Sequence, residues 1–310
     1  MTRLARLGIS LGMLALAAAS PGQSSKIGTV QKVADGIWTV TTDQSSNASW
    51  FTLGDEVVAI DAGSDPATGK AVLEKIQETA GKPVRFVIIT HAHGDHAGGL
   101  APFVAAGARV ICHENSASAL AALIDPTARA RSGLLALSER LLLFSGSRRA
   151  AIYYLGAAHT NGDLVVYFPE EKVLFSGDVA LVGRAPYMQS PDVDPKGWET
   201  VIGRLAQLDV AKVVPGHGNI GPRESLAETY SYVKRVNELA ARMASENVPE
   251  DLLDARLHQP DLGLQSGAVT PDLVANVRAA MRALQGRSAK TPTPVAPRPT
   301  PAKAPAKSKK

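Results

Sequence analysis

The sequence predicts an α+β fold: two β-sheets packed face to face, with helices on both outer sides, in one four-layer αββα domain. Two groups of β-branched runs support this prediction, because each group is followed by segments of helical character. In addition, polar residues gather just beyond the apolar runs, on loops of the kind that hold functional sites in such sandwiches. The hydrophobic content of 45% is ordinary for a chain with a full core.

The first group of strands lies in residues 27–63. Asp-Gly and Gly-Asp turns break two runs, IGTVQKVADGIWTVTT and SWFTLGDEVVAIDAG, which predict antiparallel strands. A helix is expected over residues 66–80, with Asp65 as its N-cap and Gly81 at its end. The apolar run VRFVIIT predicts a strand buried on both faces. A second helix is expected to start near Gly98, and ARVIC is a further strand.

The second group of strands follows a segment, residues 114–145, that we expect to be mostly helical. Strands are predicted by the runs AAIYYLG, DLVVYF, KVLFSGD and AKVVPG. Further helices are expected over residues 198–208, 223–245 and 271–285.

The two ends of the chain have compositions of their own. Residues 1–19 carry Arg3, Arg6 and a short apolar run, which predicts a secretory signal peptide; an uncleaved membrane anchor is the alternative. Residues 290–310 are rich in Pro, Ala and basic residues and predict a disordered tail, either a solubilising spacer or a contact to an acidic envelope surface. We therefore expect a periplasmic or secreted domain over residues 20–289, without a transmembrane segment after signal cleavage.

The charge distribution argues against a nucleic-acid partner. The whole chain has a formal net charge of +4, but its two ends carry eight basic residues and no acid, so residues 20–289 have a net charge of −4. An acidic body lacks the dense basic face that binding to a nucleic-acid backbone requires. Cys112 is the one cysteine, which excludes an internal disulfide, and we expect it to be buried.

Five histidines and two aspartates follow the ends of four separate apolar runs. They are His91, His93, Asp95, His96, His159, Asp178 and His217. Strand ends in one sandwich can converge at one rim, and imidazole and carboxylate are ligands for zinc, two ions of which need about seven protein donors. The pattern therefore predicts a site for two Zn²⁺ ions, and Gly94 is expected to let its loop fold tightly. His113, as a helix cap, and His258 are expected to be structural.

The motifs HAHGDH, GAAHTNGD, LFSGD and VPGHG, with VVAIDAG upstream, resemble those of the metallo-β-lactamase superfamily over residues 27–235. The resemblance implies the fold of that superfamily and a division of the ligands between two zinc ions. It implies that one ion is bound by His91, His93 and His159. It implies that the other is bound by Asp95, His96 and His217, with Asp178 bridging the two ions or belonging to the second. It also implies that Asp61 orients a ligand loop.

The layout of HTNGDLVVYFPEEKVLFSGD is similar, more narrowly, to that of the exported class B β-lactamases. Two departures concern the substrate: enzymes of the first subclass have a cysteine where Asp178 stands and a lysine where Leu181 stands. The nearest cation is Arg184, which we expect to bind the carboxylate of an anionic substrate. Loops around residues 42–50, 125–147 and 180–195 are expected to determine specificity.

These features predict an exported dinuclear zinc hydrolase of a small-molecule lactam, lactone, ester or thioester. A metal-bound hydroxide would attack the carbonyl, with Asp95 as the catalytic residue that orients the nucleophile and takes its proton. The alternatives are a class B β-lactamase acting on β-lactam antibiotics and a non-catalytic metal-binding envelope module. An iron-centred oxygen reductase is disfavoured because the resemblance places a glutamate where His93 stands in that group. A nuclease is disfavoured by the signal segment and the acidic body.

Overall fold

Two β-sheets with helices on both outer faces form the predicted four-layer sandwich in the computed structural model, which describes residues 27–42, 46–265 and 267–288. The predicted signal segment 1–19 and the predicted tail 290–310 lie outside the described residues. Among the helices of the described part, none combines the length and the apolar character that a membrane span requires.

The first sheet contains seven strands in chain order across the described residues. Its first four strands are antiparallel, as predicted, and the last four are parallel to one another. The strands are β1 Gln31–Ala34, β2 Ile37–Thr41, β3 Asn47–Leu53, β4 Glu56–Ile60, β5 Val84–Ile88, β6 Arg109–His113 and β7 Leu134–Leu137.

The second sheet contains six strands within the described ranges, in the spatial order β13-β12-β11-β10-β9-β8. Only its β11–β12 pair is parallel. The strands are β8 Arg140–Ser145, β9 Arg148–Tyr154, β10 Leu164–Phe168, β11 Val173–Gly177, β12 Lys212–Pro215 and β13 Gly221–Pro222.

The helices begin with α1, Pro66–Ala80, which has the predicted caps: the Asp65 carboxylate accepts a hydrogen bond from Thr68 N, and Gly81 ends the helix at a φ of 62°. The others are α2 Gly94–Ala97, α3 Leu100–Ala105, α4 Glu114–Ala122, α5 Pro126–Ser132, α6 Pro195–Leu205, α7 Glu224–Ser245, α8 Leu253–Leu257 and α9 Pro271–Ser288, with a 3₁₀ turn at Pro260–Leu262.

Three apolar layers hold the sandwich together. Phe51 and Phe168 meet edge to face between the sheets, with ring centroids 4.8 Å apart. Trp50, the neighbour of Phe51 in β3, points to the opposite face and packs under the first group of helices. Trp198 is buried on the outer face of the second sheet. Because both faces of the central strands are covered, their sequences are continuous apolar runs rather than alternating ones.

The expectation that residues 114–145 are mostly helical was wrong for the second half of the segment. After α5, Gly133 adopts a φ of 73°, and the chain continues into β7 and β8. In β8, Leu141 and Leu143 turn toward the space between the sheets while Leu142 and Phe144 are exposed. This alternation with a period of two is the signature of a strand. The helix-favouring composition of the segment is overridden by pairing with β6 and β9.

Other differences are smaller. The helix expected near Gly98 is divided into α2 and α3 by Gly98 and Gly99. The prediction that β5 is buried on both faces holds only for its second half. Val87 and Ile88 are buried, whereas Arg85 is exposed. The short elements α8 and β13 were not predicted. Cys112 is buried in β6, as expected.

Candidate metal centre

All seven residues of the predicted metal site converge at one rim of the sandwich. Their ligand atoms form three overlapping groups, and within each group the atoms lie within 4.8 Å of one another. The groups are His91, His93 and His159; Asp95, His96 and His217; and His91, His96 and Asp178. The first two groups coincide with the two ligand sets that the resemblance implies.

The first two groups are compact. His93 Nδ1 lies 3.1 Å from His91 Nε2 and 3.0 Å from His159 Nε2. In the other group, His217 Nε2 lies 3.0 Å from Asp95 Oδ2 and 3.3 Å from His96 Nε2. Each of these two groups is therefore compact, and the third group, His91, His96 and Asp178, joins them.

Asp178 lies between the two groups. Its Oδ2 is 3.5 Å from His159 Nε2 and 3.5 Å from His217 Nε2, and its Oδ1 is 3.6 Å from His96 Nε2. Gly216 leaves room for this carboxylate, because a Cβ there would lie 2.1 Å from Asp178 Oδ1. Asp178 is thus in reach of both groups, in the position that a bridging ligand needs.

Hydrogen bonds on the outer side of the rings fix which nitrogen faces the centre. His159 Nδ1 lies 3.0 Å from the Tyr187 carbonyl oxygen, which can only accept, so this nitrogen carries the proton and Nε2 faces inward with a lone pair. His96 Nδ1 faces the Asp61 carboxylate at 2.9 Å in the same way. His91 Nδ1 lies 3.1 Å from Thr90 Oγ1, which itself donates to Asp61.

His93 has the opposite orientation. Its Nδ1 faces the other histidines, and its Nε2 lies 2.9 Å from Ser190 Oγ. His91 Nε2 and His159 Nε2 both lie 3.0–3.1 Å from His93 Nδ1, and three ring nitrogens grouped in this way are suited to bind one cation.

The charges of the cluster also fit a cation. Among the described residues, Asp178 Oδ1 is one of the few buried side-chain oxygens without a hydrogen-bond partner. Burial lowers the pKa of His159 to about 4 and the pKa of His91 well below its usual value, so both rings are neutral ligands. Nitrogen and carboxylate donors in two such sets match the preference of zinc.

The pKa of His96 reflects the charges of the acidic side chains around it. Burial works to lower its pKa, but the charges of Asp61 and Asp178 outweigh burial and raise the pKa to about 9. Burial works to raise the pKa of Asp95, but the hydrogen bond from His217 and the charge of His96 hold it below its usual value. The acidic side chains around His96 therefore favour a positive charge at this position.

Asp61 ties the end of β5 to α2. Its Oδ1 accepts from Thr90 N at 2.8 Å, and its Oδ2 accepts from Thr90 Oγ1 and from His96 Nδ1, both at 2.9 Å. The residue has a φ of 59°, an uncommon backbone conformation for a non-glycine residue. This geometry agrees with the orienting role that the resemblance implies.

The tight packing around the ligand loop depends on Gly98 and Gly99 and not on Gly94. A Cβ on Gly98 would lie 1.8 Å from Ser64 O, and one on Gly99 would lie 2.0 Å from Ala62 O. At Gly94, the first residue of α2, a Cβ would meet nothing within 4 Å. The expectation for Gly94 was therefore wrong: the close approach occurs where α2 ends.

Three residues that support the site were missed in the sequence. Asp163 is fully buried, and its carboxylate accepts from Thr160 N at 2.8 Å and from Thr160 Oγ1 at 2.7 Å, which closes the turn that follows His159. Burial raises the pKa of Asp163 to about 7. The motif GAAHTNGD contains this aspartate, and its spacing to Thr160 is the signal that could have identified it.

The other two are Ser46 and Asn47 at the start of β3. Ser46 Oγ donates to Asp95 O at 2.7 Å, and the backbone of Ser46 forms an isolated antiparallel β-bridge with that of His217. Asn47 Nδ2 donates to Pro215 O and Gly218 O, at 2.9 and 2.8 Å. They join the two sheets beside the ligands, and nothing in the sequence identifies partners about 170 positions away.

The structure does not bring Arg184 to the cluster. This exposed arginine lines a groove of about 470 Å³ with Tyr232 and Asp272, and none of the seven clustered residues lines that groove. Leu181 is buried in the same segment. Of the remaining histidines, His113 caps α4 by accepting from Asn115 N, as expected, and His258 is exposed.

Comparison with known proteins shows the family. A family model for the metallo-beta-lactamase superfamily matches residues 41–217. The alpha subunit of 2,4-dinitroanisole O-demethylase from Nocardioides sp. (strain JS1661) is 30% identical over 198 residues, which are 61% of this chain and 57% of that subunit. A type 2 metallo-beta-lactamase from Bacillus cereus is 27% identical over 192 residues, which are 61% of this chain and 73% of that protein.

Solved structures share the fold. A metallo-beta-lactamase from Pontibacter korlensis matches with a TM-score of 0.58 and 25% identity, over 66% of this chain and 98% of that one. The metallo-beta-lactamase FIM-1 from Pseudomonas aeruginosa, in a mono-zinc form, matches with a TM-score of 0.55 and 23% identity, over 67% of this chain and 95% of that one.

Replacing Gly99 and Gly94 by alanine should have opposite effects. Gly99→Ala forces a Cβ against the Ala62 carbonyl and should lower the free energy of unfolding by about 1–3 kcal/mol. Gly94→Ala adds a methyl group in open space at a helical position and should be neutral or stabilising by up to about 1 kcal/mol. Urea denaturation of the two variants measures both effects, and equal losses would contradict this packing.

Asp163→Asn should change how stability depends on pH in the metal-free protein. The folded pKa of about 7 lies above the ordinary value of 3.8, so this carboxyl supports folding fully below pH 3.8 and loses that support as the pH rises through 7. Asparagine cannot ionise, so the variant should gain at least about 1 kcal/mol on the wild type between pH 4 and pH 8. Urea denaturation across this range is the measurement.

Asp192→Asn is the matched control, because Asp192 is exposed and bonds the same turn through Asn161 N at 3.0 Å. Its stability should follow the wild type across the same pH range. Parallel curves for the wild type and Asp163→Asn would show that Asp163 is not a strained buried acid.

Proposed function

The chain belongs to the metallo-β-lactamase superfamily, and we propose that it is an exported hydrolase with two zinc ions that opens lactam, lactone, ester or thioester bonds. One observation carries this proposal: seven donors form two compact groups that share Asp178. An inert metal-binding module has no need of two adjacent centres with a carboxylate between them.

The ligand sets follow the two groups. The first zinc would be held by His91, His93 and His159, the second by Asp95, His96 and His217, and Asp178 would bridge them. Zinc bound there would supply a Lewis acid that polarises a carbonyl and lowers the pKa of water toward 7. Asp61 would keep His96 and the end of β5 in place.

We assign the proton transfer to Asp95 because its side chain is the most exposed of the three carboxylates. Its side chain is 27% exposed, whereas the side chains of Asp178 and Asp61 are 9% and 3% exposed. Of these three carboxylates, Asp95 is therefore the most accessible to a water molecule from solvent. Its Oδ2 also lies 3.0 Å from His217 Nε2, which fixes the direction of the carboxylate.

The proposed reaction is hydrolysis, in which one water molecule is divided between the two products. Water adds its oxygen to the carbonyl carbon, and Asp95 accepts the proton that this oxygen loses. The bond from the carbonyl carbon to nitrogen, oxygen or sulfur then breaks, and the leaving atom takes the proton from Asp95. No side-chain nucleophile is required.

The relatives support hydrolytic chemistry without fixing one substrate. Two relatives, an O-demethylase subunit at 30% identity and a β-lactamase at 27% identity, have names that point to different substrates. A class B β-lactamase proper is the second candidate, favoured by those β-lactamase relatives and disfavoured by Leu181 in place of the lysine. Export rests on residues 1–19, and we propose a periplasmic or secreted location on that basis.

A substrate panel tests the proposal directly. The purified protein, loaded with zinc, is assayed against a cephalosporin, a lactone, a nitrophenyl ester and a thioester. At least one class should be hydrolysed, and the activity should disappear with a chelator and return with zinc. A fully zinc-loaded protein that hydrolyses none of the four classes would contradict the proposed function.

His93→Ala should lower both the zinc content and the turnover. The ring provides a central nitrogen of the first group, 3.0–3.1 Å from two other ligands, so zinc content should fall by about one ion per chain and kcat by at least about a hundredfold. His258→Ala is the matched control, because that ring is exposed and away from the cluster. Elemental analysis and initial rates measure both effects, and unchanged zinc content in His93→Ala would exclude it as a ligand.

A further inference from the structure

The strand β8, Arg140–Ser145, is the last strand of the second sheet, and its outer edge has no neighbouring strand among the described residues. Two of its side chains, Leu142 and Phe144, are large and apolar, and they are 50% and 70% exposed. Sheets usually protect such an edge with charges, a proline, a bulge or a covering segment. An exposed apolar edge therefore indicates a surface that pairs with another chain.

The register of β8 against β9 shows which backbone groups are available at this edge. Tyr154 N donates to Glu139 O at 2.7 Å, and the pairing of the two strands continues from there without a bulge. Because successive residues of a strand direct their N–H and C=O groups to opposite sides, every second residue from Glu139 onward bonds to β9. The residues between them, whose N–H and C=O groups point to the free edge, are Arg140, Leu142 and Phe144.

The apolar layer between the two sheets is also open at this edge. Leu141 and Leu143 of β8, with Leu135 and Leu137 of β7, pack against that layer but are only partly buried. In the described part of the chain, β7 is the last strand of the first sheet, so both sheets end here. A second apolar surface against this edge would therefore remove further leucine surface from water.

We propose that two copies of this chain form a dimer by antiparallel pairing of their β8 strands about a two-fold axis at Leu142. In this register Leu142 faces the partner's Leu142, and Arg140 faces the partner's Phe144. All three residues with outward backbone groups then pair within β8. A register shifted by two residues would place Arg140 opposite Gly146, which has a φ of 59° and lies beyond the end of the strand.

The strand complements itself in this register on both faces. On the inner face, Leu141 faces the partner's Leu143, which covers the open end of the apolar layer. On the outer face, the Arg140 guanidinium lies against the ring of the partner's Phe144, where a cation–π interaction is favourable. Each two-fold contact uses the β8 edge of both copies, so the assembly closes at two subunits.

Charge repulsion does not oppose this pairing. The two Arg140 residues of the dimer are separated by four residues along the strands, about 13 Å, which exceeds the Debye length at physiological salt. Arg149, which lies opposite Phe144 on β9, forms an ion pair with Glu170. The positive charges near the axis are therefore either distant from one another or paired.

The size of the edge predicts a weak dimer. A strand of six residues spans about 20 Å, and two sheets about 10 Å apart form an edge about 20 Å thick with their side chains, so about 400 Å² is covered on each subunit. Interfaces of this size are at the small end of specific contacts, and we expect a Kd of about 1–100 µM.

The C-terminal residues 290–310 are poorly suited to occupy this edge. Their prolines have no N–H group to donate to the outward carbonyl groups of β8, and their basic residues would face Arg140. A second copy of β8 provides both the donors and the apolar side chains.

Sedimentation velocity of the full-length protein from about 1 µM to about 200 µM measures the association. Leu142→Lys places two ammonium groups at the two-fold axis and should weaken the dimer by at least about tenfold. Leu252→Lys is the matched control, because Leu252 is 54% exposed and lies outside β8, and this variant should dimerise as the wild type does. Circular dichroism verifies that both variants are folded.

Cysteine substitutions test the register. Residues opposite one another in a hydrogen-bonded pair have Cα atoms about 5.5 Å apart, so Leu142→Cys should form a covalent dimer on oxidation. Phe144→Cys is the control, because the two copies of this residue lie about 13 Å apart, beyond the reach of a disulfide. Cys112 is buried and does not compete. A wild type that stays monomeric up to about 200 µM, equal dimerisation of Leu142→Lys and the wild type, or equal cross-linking of the two cysteine variants would overturn the proposal.

Discussion

Five imidazole rings and two carboxylates meet at one rim of the sandwich. Their inward lone pairs repel one another, so the surrounding residues must hold these side chains in place. Inward nitrogens of neighbouring rings lie 3.0–3.3 Å apart. Asp178 Oδ1 is buried without a hydrogen-bond partner. Such a cluster is unfavourable unless a positive charge enters it. Against the effect of burial, the charges of Asp61 and Asp178 raise the pKa of His96 to about 9, which shows that this position favours a positive charge. The site is therefore organised for cations, and the fold must hold its donors together against their mutual repulsion.

The fold does so by using strand ends from both sheets. Asp61 links the end of β5 to His96, Asn47 links β3 to the loop that carries His217, and Asp163 closes the turn after His159. Each support is a hydrogen-bonded side chain that is itself buried, so the ligands are fixed before any ion binds. In the loop after β11, the Tyr187 carbonyl oxygen and Ser190 Oγ lie 3.0 and 2.9 Å from His159 Nδ1 and His93 Nε2.

The sequence predicted the sandwich and the seven clustered residues because both depend on local patterns: apolar runs, turn residues, and polar residues just beyond strand ends. It did not predict β7 and β8, where Leu, Ala, Glu and Arg favour helix locally and pairing with β6 and β9 decides otherwise. Ser46 and Asn47 were missed because their partners are distant in the chain. Arg184 was chosen from its nearness to Asp178 in sequence, and the structure places it in a groove that none of the seven clustered residues lines. The role of Gly94 was misjudged because close backbone approach at Gly98 and Gly99 is visible only in three dimensions.

The central claim is that two adjacent ion sites share Asp178. Anomalous diffraction from crystals of the zinc-loaded protein, collected on both sides of the zinc absorption edge, tests it most directly. The account predicts two zinc peaks, one among His91, His93 and His159 and the other among Asp95, His96 and His217, with Asp178 in contact with both. A single peak at full zinc loading, or zinc bound outside these residues, would contradict it.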